Sequence, residues 1–328
     1  MINPSDYFMC DLVNLGSIDP RLASIYAPEP ELGGQKIGIT AQFLENAHVY
    51  QQGHFQFAHF NRLIRQTLHK IGFDISKGVS VLDIGSGFGN TVIPMAEIFD
   101  EAVIIATDLS ENLLSMLGGH AAKICPDARI GAVCVDATRD YIRPEAFDIV
   151  VGSYILHHII DPKDVIAAAF RALKPGGVAV WFEPFEAGFA VLRTIFEDLM
   201  AAHDSGREGM SKELREFLWR QVRDWKTRSQ PDKPIDLLRR LDDKHLFTRH
   251  YFVSAAKAVG FPGAEVFALR GPGPVFRDMV NGLLGLNPLS NDTLPDWAWE
   301  RVDYWDTILS PDLQMDLIFQ GTIIMRKA

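Results

Sequence analysis

The stretch Val81-Leu82-Asp83-Ile84-Gly85-Ser86-Gly87-Phe88-Gly89-Asn90 carries the clearest chemical signal in the chain. An apolar run ends in a turn with glycine at alternate positions, and a helical pattern follows. Glycine reaches positive φ and leaves no Cβ in the path of a ligand, while the first turn of a helix offers unpaired N–H groups. Alone, this describes a tight strand–helix turn as well as a ligand cradle. Three details sharpen it. The glycine spacing is G-x-G-x-G, not the G-x-G-x-x-G of a dinucleotide pyrophosphate turn. Asp83 sets a carboxylate where a pyrophosphate is repelled and a ligand ammonium is welcome. Asp108 closes the next apolar run, where an acid can accept both hydroxyls of a ribose. Together they describe a ligand with a ribose and a positive charge rather than a diphosphate.

Such residues need a parallel sheet to position them. Strands are expected at 79–84, 102–107, 130–135, 147–153 and 178–182, as continuous apolar runs buried on both faces. Helical patterns between them give an α/β fold. The helix after the first strand starts near Gly89 or Asn90, which places Pro94 in its first turn, where no intrahelical bond is lost. Asp161 and Pro162 form an N-cap and first position, Val165, Ile166, Ala169, Phe170 and Leu173 keep helical spacing, and Gly176–Gly177 close that helix. Further strands at 264–268 and 317–325 bring the expected sheet to seven. Two excursions interrupt this core. Residues 188–244 hold an amphipathic helix with Leu214, Phe217, Leu218, Val222 and Trp225 on one face, and 271–313 is rich in Pro, Gly and Asn. Trp219, Trp225, Trp297, Trp299 and Trp305 all fall in these excursions, which suggests a cap with its own apolar face.

Asp83 to Gly89 resembles the D-x-G-x-G-x-G first motif of the class I S-adenosylmethionine-dependent methyltransferases. Thr107-Asp108-Leu109-Ser110 is similar to the second motif of that family, Val135-Asp136-Ala137 to its adenine-binding position, Phe147-Asp148-Ile149-Val150 through Leu156-His157-His158-Ile159 to its fourth-strand motif, and Leu173-Lys174-Pro175-Gly176-Gly177 to the turn before its fifth strand. Five matches in order are far more specific than one. The resemblance implies a Rossmann-like, doubly wound, mostly parallel seven-stranded sheet with an N-terminal helical lid and a helical cap insertion. The resemblance covers about 77–185 and, more faintly, 247–268 and the last strand; with the excursions, the chain is expected to divide into a lid (1–76), a cofactor-binding core (77–187), a cap (188–245), a core continuation (246–270), a second cap excursion (271–315) and a last core strand (316–328). The same resemblance implies S-adenosylmethionine as cofactor, held by Asp83, Gly85, Ser86, Gly87, Gly89, Asn90, Asp108, Leu109, Asp136, Ala137 and Ser153. In the lid, Phe43, Tyr50, His54, Phe55, Phe57, His59 and Phe60 can cover a sulfonium by cation–π contact or simply pack, as Phe57, Phe60, Leu63 and Ile64 would on one helix face.

Methyl transfer to a hydroxyl calls for a base where strands four and five end. His157 and His158 follow strand four, and Glu183 and Glu186 follow strand five; His245 and His250 flank the returning helix. His157, His158 and Glu183 are the catalytic candidates, against the alternative that the histidines only shape the site. No metal-ligand set stands out, so a metal is not expected. Two readings of other classes stay open: a non-catalytic S-adenosylmethionine-binding protein, and a nicotinamide-dependent oxidoreductase that would leave Asp83 and the glycine spacing unexplained.

With 328 residues, 47% apolar and 23% charged, the chain has ordinary globular composition. A net charge of −10 with no basic cluster speaks against nucleic acid or an anionic membrane as partner and leaves a small or medium organic acceptor, with oxygen ahead of nitrogen and carbon. Neither a secretory signal nor an apolar run of roughly 18–20 residues is seen. Cys10, Cys125 and Cys134 have no disulfide-framework or zinc spacing, so a cytoplasmic protein is expected, with a homodimer left open.

Overall fold

In the computed structural model, residues 1–32, 51, 55–268, 274–285 and 293–328 are described. Two short strands come first, β1 (Leu12–Asn14) and β2 (Ile25–Pro28), then helix α1 (Phe57–Lys70). The core follows as β3 (Ser80–Ile84), α2 (Val92–Ile98), β4 (Val103–Asp108), α3 (Glu111–Ile124), β5 (Arg129–Cys134), β6 (Phe147–Ser153), α4 (Pro162–Ala172) and β7 (Leu173–Pro184). A helical insertion, α5 (Glu186–Asp204), α6 (Lys212–Arg228) and α7 (Ile235–Arg240), precedes α8 (Arg249–Val259) and β8 (Glu265–Phe267). The chain continues through α9 (Val275–Gly285), α10 (Asp296–Ile308) and α11 (Pro311–Asp316), and β9 (Gln320–Arg326) follows.

The nine strands lie in one sheet, ordered β1-β2-β5-β4-β3-β6-β7-β9-β8. All pairings from β2 to β7 are parallel, whereas β9 runs antiparallel between β7 and β8. Side chains alternate across a strand, and both faces are covered. Val81, Ile104, Ile149 and Val180 meet α1, α2 and α3 through Phe60, Ile64, Val92 and Leu117. Leu82, Ile105, Val150 and Trp181 meet α4 and α8 through Val165, Ile166, Phe252 and Ala256. That is why the strands read as unbroken apolar runs. Chain order runs outward from β3 to β4 and β5 on one side and from β6 to β7 on the other. The carboxyl ends of β3, β4 and β6 therefore border a switch-point crevice.

The sheet is thus of the expected doubly wound, mostly parallel kind, but two strands wider than the seven expected. The additions, β1 and β2, fall in the segment read as a helical lid. With three and four residues they are too short to show a period-2 signal, and pairing of Ile25 and Tyr26 with Ala132 and Val133 of β5 creates them. Within the segment expected to form the lid, α1 buries Phe60, Ile64 and Leu68. Phe43, Tyr50 and His54 lie outside the described residues. Gly176–Gly177 do not close α4. That helix ends at Ala172 with extended Leu173 as its C-cap, and Gly176, at φ +78°, turns the chain within the start of β7. Asp161 caps α4 as expected, accepting the N–H of Lys163 at 3.1 Å.

Helices α5, α6, α9 and α10 bury a separate apolar cluster containing Leu192, Phe196, Leu218, Phe276 and Val302. Trp225 sits inside it, its ring centroid 5.1 Å from Phe189 and 5.4 Å from Phe196. Among the described residues, no helix is long and apolar enough to cross a membrane.

Candidate active site

The glycine turn is fastened to the strand beside it. Thr107 carbonyl accepts the N–H groups of Gly85 (2.8 Å) and Ser86 (2.9 Å), and Asp108 Oδ2 accepts that of Gly87 at 2.8 Å. Asp108 Oδ1 accepts the Ser110 N–H at 2.8 Å. Gly85, Gly87 and Gly89 have φ of +72°, +53° and +104°, which only glycine adopts without strain. A Cβ on Gly85 would lie 2.7 Å from Ile155 and one on Gly89 2.6 Å from Leu117, so these two sites need the smallest residue for packing as well. A Cβ on Gly87 would meet nothing within 4 Å: there the turn borders open space.

Asp83 is fully buried beneath the turn. Its Oδ2 accepts the Thr91 hydroxyl, while Oδ1 has no hydrogen-bond partner. Burial pushes its pKa up to about 7, against the lowering effect of Thr91, and nearby Asp108 adds to the rise. Ser153 Oγ, at the end of β6, is a second buried polar atom without a partner. Buried polar groups are normally satisfied, so two unsatisfied ones at the ends of neighbouring strands fit a polar ligand. Together with the open face at Gly87, they fit the cofactor that the sequence implies. Asn90 ties the approach to α1 to the turn, accepting the Gln56 N–H at 3.1 Å. Leu109 is partly buried, and its carbonyl takes the Cys134 thiol at 3.5 Å. Asp136 caps its own turn through Thr138 N (2.9 Å) and Oγ1 (2.7 Å), with Ala137 partly exposed beside it.

A cavity of about 410 Å³ opens next to this crevice, between α1, α9 and the ends of β7 and β9. Tyr154, the residue after Ser153, forms part of its wall together with His59, Phe182, Asp278, Met279 and Thr322. Tyr154 holds φ +54°, fixed by its N–H donating to Phe182 carbonyl at 2.9 Å. Burial and the charge of Glu183 raise its hydroxyl pKa. Burial, and secondarily Arg62, lowers that of His59. No motif marked Tyr154 or Asp278 in the sequence, and His59 was legible only as one aromatic ring among several.

The three expected catalytic side chains are brought together, but elsewhere. Glu183 is fully buried; Oε1 accepts the N–H groups of Ile155 (2.9 Å) and Leu156 (2.7 Å), and Oε2 is 2.7 Å from His157 Nδ1. A carboxylate so engaged holds strand ends together and has little left for an acceptor. His157 Nε2 faces Asp243 Oδ1 at 3.4 Å, and His158 Nδ1 faces the same oxygen at 3.5 Å. Burial alone would lower His157, but Glu183 and Asp243 outweigh it and leave it above the usual value; burial and then His157 push His158 down to about 3. The cavity wall includes neither histidine nor Glu183. His245 Nε2 lies 3.0 Å from the Ile159 carbonyl, which accepts its ring N–H. Glu186 and His250 line a second, more open depression of about 440 Å³ with Phe247. Among the described residues, His157, His158 and Asp243 present possible ligand atoms within 4.8 Å of one another, a grouping the sequence did not mark. Asp243 lies in the return from the insertion, remote in sequence, which is why spacing did not reveal it.

Residues 81–177 match the family model described as a methyltransferase domain. That match spans the glycine turn, Asp108 and the turn after β6. The chain is similar to a ubiquinone biosynthesis O-methyltransferase of Idiomarina loihiensis, with 34% identity over 100 residues, covering 30% of this chain and 40% of that protein. A malonyl-[acyl-carrier protein] O-methyltransferase of a Marinomonas species is 27% identical over 130 residues, covering 40% and 47%. Among solved structures, phosphoethanolamine N-methyltransferase 2 of Haemonchus contortus in complex with S-adenosyl-L-methionine aligns at 20% identity and TM-score 0.45, over 80% of this chain and 51% of that one. The chain thus spans less than half the length of the two curated relatives.

Proposed function

We propose that this protein transfers a methyl group from S-adenosylmethionine to an oxygen of a small or medium-sized, largely apolar organic acceptor. One observation carries the reading: Tyr154 lines the acceptor-sized cavity and directly follows Ser153, whose buried unpartnered hydroxyl ends β6 at the glycine-turn crevice. A site for a cofactor and a site for a second molecule meet at this strand end.

When bound, S-adenosylmethionine supplies a methyl group activated on a sulfonium sulfur. Asp108 is placed to accept ribose hydroxyls while it keeps the turn in shape. Asp83 would offset the cofactor's positive charge, and Asp136 and Ala137 would hold the adenine. Gly85, Ser86, Gly87 and Gly89, with Asn90 and Leu109, form the remaining wall. Phe182, Met279 and Leu63 exclude water from the acceptor and orient it. His59, neutral near pH 7 because burial lowers its pKa, takes the proton that a hydroxyl loses on attack. The base thereby moves from His157, His158 and Glu183 to a residue on the cavity wall. The O-methyltransferase names of the relatives support oxygen over nitrogen and carbon.

The test is release of S-adenosylhomocysteine by the full chain against a panel of phenols, carboxylic acids and amines of cavity size. Turnover confined to the oxygen acceptors is the expected result. Tight cofactor binding with no turnover on any acceptor would leave a cofactor-binding protein instead, and turnover on amines alone would move the reaction to nitrogen.

A further inference from the structure

We propose that His157, His158 and Asp243 form a binding site for a divalent transition-metal ion, with Glu183 and Arg228 as its outer partners. The three side chains come from two distant parts of the sequence. The histidines occupy the short turn 156–158 after β6, and Asp243 lies in the segment returning from the helical insertion to α8.

The spacing of the donor atoms suits one ion. For bonds of about 2.05 Å to imidazole nitrogen and carboxylate oxygen, neighbouring ligands of a tetrahedral site stand about 3.3 to 3.4 Å apart. His157 Nε2 and His158 Nδ1 stand 3.4 and 3.5 Å from Asp243 Oδ1. Asp242 carbonyl, 3.0 Å from His158 Nδ1, is a further oxygen in reach; an ion at the centre replaces that hydrogen bond with coordination.

The surroundings are those of a built metal site. A ligating histidine usually gives its other ring N–H to a carboxylate, which fixes the tautomer and ring orientation. Glu183 Oε2 does this at His157 Nδ1 over 2.7 Å, leaving Nε2 turned to Asp243. Glu183 is itself held by two backbone N–H groups. Arg228 Nη1 lies 3.2 Å from Asp243 Oδ2, so Oδ1 is the oxygen left facing both rings. His157 is buried, whereas the Asp243 side chain is 42% exposed and offers an entry path. Two imidazoles and one carboxylate favour zinc, cobalt, nickel, manganese or iron over calcium or magnesium. Selection therefore rests on the nitrogen donors.

The cluster does not line the acceptor cavity, and the ion would not touch the acceptor. It would join the ends of β6 and β7 to the return from the cap, in the turn that sets Tyr154, whose ring centroid is 6.2 Å from that of His157. His157, His158, Glu183 and Asp243 are positioning residues in this account. It stands apart from the methyl-transfer reading, since its primary readout is metal binding.

The full chain, treated with chelator and dialysed, is titrated with Zn2+ and Mn2+ by calorimetry and with Co2+ by visible absorption. One ion per chain is expected, with the intense visible bands of low-coordinate cobalt. Asp243→Asn and His158→Ala should each weaken binding at least about tenfold, and Glu183→Gln by about 10- to 100-fold through the outer shell. Melting in chelator establishes that each variant is folded. If one does not fold, the other decides; if neither folds, the wild-type cobalt spectrum decides. Substoichiometric binding, affinity unchanged in a folded variant, or the spectrum of hydrated cobalt overturns the proposal.

Discussion

Gly87 N–H donates to Asp108 Oδ2 over 2.8 Å, so the acid that closes β4 also holds the open face of the turn after β3. Losing this side chain removes the brace and, on the proposed reading, a ligand contact as well. Hydrogen bonds to a charged group contribute about 1.5–3 kcal/mol, so Asp108→Ala should weaken S-adenosylhomocysteine binding about 10- to 100-fold. Calorimetry on the folded variant checks this, and unchanged affinity would remove Asp108 from the cofactor site.

Asp83 gives a pH dependence whose sign can be worked out. Its folded-state pKa, about 7, lies above the ordinary 3.8, so the buried neutral acid favours folding at low pH. That contribution is full below about pH 4 and is lost as pH rises through about 7. A cationic cofactor favours the carboxylate instead. Cofactor affinity should therefore rise with pH up to about 7, with proton release on binding below that value. Calorimetry in buffers of different ionisation enthalpy measures the released protons. Asp83→Asn should flatten both dependences; a proton balance of zero at about pH 6 in the wild type would refute the assignment.

His59 lines the cavity that Glu183 and the paired histidines do not. His59→Ala should lower the single-turnover rate about 10²- to 10⁴-fold while leaving cofactor affinity intact. Since burial and Arg62 lower its pKa, the wild-type rate should reach half its plateau below pH 6.5. A near-normal rate in His59→Ala, with a large loss in a folded His158→Ala variant, would return the base to the turn after β6.

Trp225 is 2% exposed within the cap cluster and takes no part in the cavity wall. Trp225→Ala should cost about 3–5 kcal/mol of stability, read from denaturant unfolding, as large buried aromatics do. Cofactor affinity in the fraction that remains folded should stay the same. Trp297, whose Nε1 donates to Glu208 carbonyl at 2.7 Å, likewise joins parts of the cap. Loss of acceptor turnover without loss of stability in Trp225→Ala would instead place the tryptophans at the acceptor.

Residue order alone determined the parallel core and its glycine turn, because these depend on local rules. Strands buried on both faces are largely apolar, as β3 and β6 are, and a turn at positive φ favours glycine, as at Gly85, Gly87 and Gly89. Asp83 and Asp108 were legible for the same reason, since each lies at or next to the end of a strand beside that turn. The edge strands β1 and β2 were not, because three or four residues carry too little pattern and pairing with β5 decides them. Nor could sequence separate the roles of the histidines. Only tertiary structure turns His157 and His158 toward Asp243, far along the chain, and closes both oxygens of Glu183 with hydrogen bonds. The same packing sets Tyr154, just after β6, and His59 of α1 around one cavity. Such groupings depend on where separate elements meet, and no spacing within a single element records that.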